Sequence, residues 1–157
     1  MKNPPVVEKL QVRYQGLDPY GHVNNAFHIA YFESVRLAYL ERIAEHLGLG
    51  PLEAGELPGV RYVIAEATVR YKAPIRLGDA LHGAASIGTI GNRSFVMDYE
   101  LRAGESFENA VLTAEGTYAQ VFYDPKADEM LHRPDWFLSA VAAVEGRPEE
   151  SFAPEAR

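Results

Sequence analysis

The chain has 157 residues, with 15 Lys and Arg against 22 Asp and Glu, and no Cys. Its length favours one domain, and an apolar fraction of 47% is too high for a disordered chain. A net charge of −7 argues against a general nucleic-acid binder, and without Cys there are no disulfides, thiolate nucleophiles or Cys-ligated metals.

The amino-terminal residues hold no apolar run of signal-peptide length, and nothing later approaches the ~18 consecutive apolar residues that cross a bilayer. A cytoplasmic protein is expected. Leu10 to Tyr14 alternates apolar and polar residues, the pattern of a half-buried strand. Gln15 to His22 carries two Gly and one Pro and reads as a loop. Asn24 or Asn25 then caps a helix that runs to about Leu47, where Gly48, Gly50 and Pro51 stop it. The first half of this helix, from Ala26 to Leu40, is apolar on nearly every side, so it is expected to be buried all round. Glu41, Arg42, Glu45 and His46 carry the second half into solvent.

A connection from Gly48 to Gly59 precedes four strand-like runs: Val60 to Tyr71, Ala80 to Ile90, Ser94 to Arg102 and Ala110 to Tyr123. Their close spacing, with no helix between them, predicts an antiparallel meander. Asp135 to Val144 reads as a short helix, and residues 146–157 as a mobile tail after a single domain over 1–145. The predicted fold is α+β, a curved antiparallel sheet wrapped around one long helix. One small sheet cannot cover such a helix completely, so a partner subunit is expected to share in the burial.

Several chemistries are missing from the motifs. There is no Gly-x-Ser-x-Gly elbow, no phosphate loop and no His-Glu-x-x-His. His22, His28, His46, His82 and His132 form no metal-ligand cluster, and no metal is expected. The informative segment is Asp18-Pro19-Tyr20-Gly21-His22-Val23-Asn24-Asn25, a loop delivered onto the start of the apolar helix. A helix N-terminus presents unpaired N–H groups that stabilise an oxyanion. A carboxylate just upstream can attack a carbonyl held there, or activate water against it. The same residues also suit plain capping, with Asp18 closing the loop, Gly21 turning it and the Asn pair starting the helix.

This segment, with Tyr31-Phe32-Glu33 and Arg36-x-x-Tyr39-Leu40 after it, resembles the hotdog-fold acyl-CoA thioesterases of the 4-hydroxybenzoyl-CoA thioesterase-like group. The similarity continues through Tyr71-Lys72-Ala73-Pro74-Ile75-Arg76-Leu77-Gly78-Asp79 and Gly91-Asn92-Arg93-Ser94-Phe95, to about Trp136. The resemblance implies a five-stranded sheet around the helix, a homodimer or homotetramer with sites at the subunit interface, and hydrolysis of an acyl-CoA thioester without cofactor. It implies that Asp18 is the catalytic carboxylate, that Asn25 N–H polarises the carbonyl, and that Arg93 and Ser94, beside Asn92, hold the CoA nucleotide. Tyr20 and Gly21 fall in the expected substrate-binding part of the loop, where Tyr20 either lines the acyl tunnel or packs, and His22 either positions Asp18 or the water or satisfies a loop carbonyl. His22 and Asn24-Asn25 depart from the 4-hydroxybenzoyl enzymes and are similar to broader bacterial acyl-CoA thioesterases and plant acyl-ACP thioesterases; the plant enzymes have an Asn where this chain has Tyr20. An acyl-ACP substrate and a non-catalytic acyl-CoA-binding module stay as alternatives. Glu33 and Arg36 read as a helix-surface pair or a polar contact at the subunit boundary, and Glu66 as a solvent-facing strand residue.

Overall fold

The computed structural model describes residues 1–52, 57, 60–124 and 126–154. Parts of the connection expected over 48–59 (53–56, 58 and 59), Pro125 and the last three residues of the expected tail lie outside the described residues.

Six strands and two helices follow one another as β1 (Val6–Leu10), α1 (Asn25–His46), β2 (Tyr62–Tyr71), β3 (Leu81–Ile90), β4 (Ser94–Ala103), β5 (Val111–Asp124), the short β6 (Glu129–Met130) and α2 (Asp135–Glu145). The antiparallel sheet has the order β1-β3-β4-β5-β2, with β6 paired to β5 off this path. The expected five-stranded sheet around one long helix is present, with β6 as an added two-residue pairing. Among the described residues no helix is long and apolar enough to cross a membrane.

The first strand is not where its alternation pointed. Pairing begins at Val6 opposite Ala85 and ends at Leu10 opposite Leu81, the first residue of β3. Beyond Leu10 the chain has run past the end of its neighbour. It turns instead into a 3-10 helix over Tyr14–Gly16.

α1 lies in the concave face of the sheet, where Phe32, Val35, Tyr39, Leu40 and Ile43 are buried. Two glycines let it come close. A Cβ on Gly83 would collide with Val35, and one on Gly116 would meet the Phe32 ring at 2.6 Å. The helix ends in a Schellman arrangement, with Gly48 N–H donating to Glu45 O (3.0 Å) and Leu49 N–H to Ala44 O (2.9 Å). In the single chain its apolar first half is not buried all round: Phe27, Ile29 and Leu37 are each about two-fifths exposed. These residues and the edge strand β2, with Val63 and Ile64 also exposed, leave an open apolar flank.

The segment after Gly146, expected to be mobile, is packed as far as it is described. Glu149–Phe152 forms a 3-10 turn, Phe152 is fully buried, and the Arg147 guanidinium carbon lies 4.2 Å from the Phe152 ring centre. Phe137 of α2 meets Phe95 and Phe122 at 5.2 and 5.1 Å between ring centres, closing one end of the core. The Glu145 carboxylate accepts from Tyr39 Oη–H (2.7 Å), Ser86 Oγ–H (2.8 Å) and Ile87 N–H (2.6 Å), while Arg147 donates to Ile87 O (2.5 Å). Because β1 starts opposite Ala85, Ile87 has no strand on its β1 side, although it pairs with Met97 of β4 on the other, and these two side chains take the place of the missing strand.

Candidate active site at the start of the long helix

The loop before α1 is fixed by its own backbone and by the segment after β2. Leu17 bridges Val23 and His22 bridges Arg76, both antiparallel, and Val23 N–H donates to Ile75 O (2.8 Å). Asp18 N–H donates to His22 O (2.7 Å), and Gly21 N–H to Asp18 O (3.0 Å). Gly21 sits at φ +77°, a left-handed value that residues bearing a Cβ adopt only with strain. Asp18 Oδ1 accepts from Tyr20 N–H (2.9 Å) and His22 N–H (3.0 Å). Oδ2 has no hydrogen-bond partner among the described residues. One oxygen is held and the other is free.

Asn24 is the cap. Its Oδ1 accepts from Ala26 N–H (2.9 Å) and its carbonyl from Phe27 N–H (2.9 Å). Asn25 N–H is left without a partner among the described residues, at the positive end of a helix that runs from Asn25 to His46. A free carboxylate oxygen and a free helix-terminal donor therefore belong to one short, rigid segment. Tyr20 is strongly exposed, and the His22 side chain makes no hydrogen bond among the described residues; His22 holds Asp18 through its backbone.

Two side chains that sequence reasoning missed fix the helix start. His28 is buried, with Nδ1 3.2 Å from Asn24 O and its ring edge-on to Tyr71 at 4.8 Å. Burial lowers its pKa, which keeps the ring neutral and allows Nδ1–H to donate to that carbonyl. Tyr71 Oη–H donates to Asn25 O (3.3 Å). The i to i+4 spacing of Asn24 and His28 was the only signal in the sequence, and it is a common one.

Asn92, Arg93 and Ser94 occupy the β3–β4 turn, at the other end of the sheet. Asn92 O accepts from Arg133 N–H (2.7 Å), and Arg93 O from Phe122 N–H (2.9 Å). The Arg93 side chain is exposed, with Nη2 3.4 Å from His132 Nε2. Ser94 pairs with Val121 and Tyr71 with Ala114, seven residues apart on β5, or about 24 Å at the usual strand rise. One chain thus does not bring the Asp18 loop and the Arg93 turn together. A cleft of about 450 Å³ opens between Ser86, Asp98, Glu115 and Thr117, and none of the sequence-predicted site residues lines it. No three His, Asp or Glu side chains converge as metal ligands among the described residues.

A curled antiparallel sheet around one long helix, with an acidic loop at that helix's start, defines a hotdog-fold protein. The chain belongs to the thioesterase-like superfamily, whose family model it matches over residues 12–141. A thioesterase from Thermus thermophilus, solved in complex with coenzyme A and Zn, is 31% identical, with a TM-score of 0.77 over 94% of this chain and 100% of that one. A member of the thioesterase superfamily from a Jannaschia species (22% identity, TM-score 0.69, 90% of this chain and 82% of that one) has the same fold. So does a gentisyl-coenzyme A thioesterase (20% identity, TM-score 0.67, 83% and 97%). No curated protein matches the chain significantly.

Proposed function

We propose that the protein is a cytoplasmic acyl-CoA thioesterase that works as a homo-oligomer, with Asp18 as its catalytic carboxylate. The observation that carries this reading is the pairing of a half-held carboxylate with an unpartnered helix N–H. Asp18 Oδ1 is tied to two backbone N–H groups, Oδ2 is free, and Asn25 N–H is seven residues on. The thioester carbonyl oxygen accepts from Asn25 N–H, which stabilises the negative charge that develops there. Water attacks the carbonyl carbon as Asp18 Oδ2 takes its proton; the C–S bond then breaks and the CoA sulfur leaves with a proton. Direct attack by Oδ2, giving a mixed anhydride that water hydrolyses, uses the same atoms. A Thermus relative solved with coenzyme A supports a CoA-linked substrate.

The open edge at β2 supports a two-fold dimer. Antiparallel pairing of β2 with β2 of a second copy sets the Tyr62 end of one against the Tyr71 end of the other. Arg93 lies at the Tyr62 end and the Asp18 loop at the Tyr71 end. Arg93, Ser94 and Asn92 of a second copy then stand beside this chain's Asp18 and bind the nucleotide of a CoA held there. The guanidinium suits bidentate phosphate contact.

Thiol release from an acyl-CoA panel tests the mechanism. Asp18→Asn keeps the loop's shape and removes the base, so kcat is expected to fall by about 100-fold or more with little change in KM. Near-wild-type turnover in that variant would leave Asp18 a capping residue only.

A further inference from the structure

The oxygen and the N–H of one peptide group share a single conjugated plane, so a bond made to the oxygen bears on the hydrogen as well. The N–H assigned to the thioester, that of Asn25, belongs to the same peptide group as Asn24 O. That oxygen has the His28 ring against it, with Nδ1 at 3.2 Å, and accepts from Phe27 N–H (2.9 Å). Because the partner is a carbonyl, the ring nitrogen facing it carries the hydrogen.

Two features set this contact apart from plain helix capping. Asn24 O already has a backbone partner in Phe27 N–H, so the fold does not need the ring to satisfy it. His28 is nonetheless only 3% exposed, in the apolar half of α1, where burying an imidazole costs free energy that an apolar side chain avoids. The second feature is that Asn25 N–H stands alone. Ala26 N–H is taken by Asn24 Oδ1 (2.9 Å) and Phe27 N–H by Asn24 O, so of the first three N–H groups of α1 one is left. Oxyanion sites are ordinarily built from more than one donor, and a lone donor has to be well aimed and strongly polarised.

We propose that His28 is a positioning residue for the hydrolysis: by donating Nδ1–H to Asn24 O it fixes and polarises the Asn24–Asn25 peptide, which makes Asn25 N–H a stronger donor to the thioester carbonyl. This inference rests on the reading that the carbonyl sits at Asn25 N–H. Linked hydrogen bonds strengthen one another by about 10–30% each, and losing an oxyanion donor outright costs about 10²–10³ in kcat, so losing the His28 bond should cost on the order of two- to eightfold. Burial keeps the ring neutral, so it adds no net charge to the site. Tyr71 supplies a control close by. Its Oη–H donates to Asn25 O (3.3 Å), the oxygen of the next peptide group, whose N–H is that of Ala26 and is already taken.

The test reads the carbonyl itself. The acyl-CoA of the panel with the highest kcat/KM, isotope-labelled at its thioester carbonyl, is bound to Asp18→Asn protein, and its infrared carbonyl band is recorded. Binding is expected to move the band to lower frequency. Adding His28→Phe should remove part of that shift. His28→Asn, whose amide N–H stands where Nδ1–H does, should keep it, and Tyr71→Phe should leave it unchanged. With Asp18 in place, His28→Phe alone should lower kcat by the margin given above, with little change in KM. A shift that His28→Phe leaves whole, or that His28→Asn or Tyr71→Phe loses as fully, overturns the proposal. If the His28 variants fail to fold, the nitrogen NMR spectrum of the wild-type imidazole decides: a hydrogen on Nδ1 is expected, and a neutral ring with its hydrogen on Nε2 overturns the proposal. Asp18-dependent turnover with a band insensitive to His28 sinks this inference alone. No Asp18-dependent thiol release from any member of the panel sinks the thioesterase reading and this inference with it.

Discussion

Asp18 is aimed by its loop rather than by a neighbouring side chain. Two backbone N–H groups hold one of its oxygens, so the direction of the other is set by the turn at Gly21. That much was legible in the sequence, because a carboxylate, a Gly and a cap residue stand in order before an apolar helix. His28 was not. An isolated His says nothing until the fold sets Asn24 O on one side of it and Tyr71 on the other. Its pKa is lowered from 6.5 by burial, so the unfolded chain takes up a proton at a higher pH than the folded one. His28 therefore stabilises the fold fully above about pH 6.5, and that contribution is lost as the pH falls through the lower folded value. Melting temperatures measured from about pH 8 down to 5 should fall in acid more steeply for wild type than for His28→Phe, which cannot be protonated. Parallel curves for the two proteins would show that His28 does not titrate against the fold.

At the scale of elements, the long runs were readable and the short ones were not. α1 and β2 to β5 each lie within about two residues of where periodicity and the Gly and Pro breaks set them. β1 was misplaced because Leu10 to Tyr14 alternates as well as a strand does, yet pairing depends on where β3 begins. The tail misled by composition. Pro148, Glu149 and Glu150 look solvated and hide the one residue that matters, Phe152. Its ring is buried beneath Arg147, so Phe152→Ala should destabilise the fold by about 3–5 kcal/mol, the usual range for a buried Phe. Urea unfolding measures this directly. A change within error of zero would mean that the turn is detached in solution.

For the molecule as a whole, the two halves of the expected site stand at opposite ends of one sheet, a fact that needs strand order and register and cannot be read from motifs. The proposed dimer makes a specific demand on mixtures. An Asp18→Asn chain still carries Arg93, and an Arg93→Ala chain still carries Asp18. A mixed pair then holds one intact site and one doubly impaired site. Mixing the two variants after dissociation and reassembly should restore activity to about a quarter of wild type, since half the pairs are mixed and each has one good site of two. No recovery on mixing would mean that Asp18 and Arg93 act within one chain. Ile64→Lys, on the open edge, should shift the protein toward a monomer by light scattering, because a desolvated charge opposes pairing there.

The stand-in strand formed by Glu145 and Arg147 also limits how far assembly can go. An unprotected sheet edge is a template for adding further chains. On the β3 side, β1 is short, is preceded by Pro4 and Pro5, and carries exposed Glu8 and Lys9. Where β1 gives out, Ile87 already has both backbone groups taken by side chains. That leaves β2 as the long, apolar edge open to another copy. A sheet that can grow from one side only, by a two-fold operation, ends at a closed pair and cannot extend into a filament.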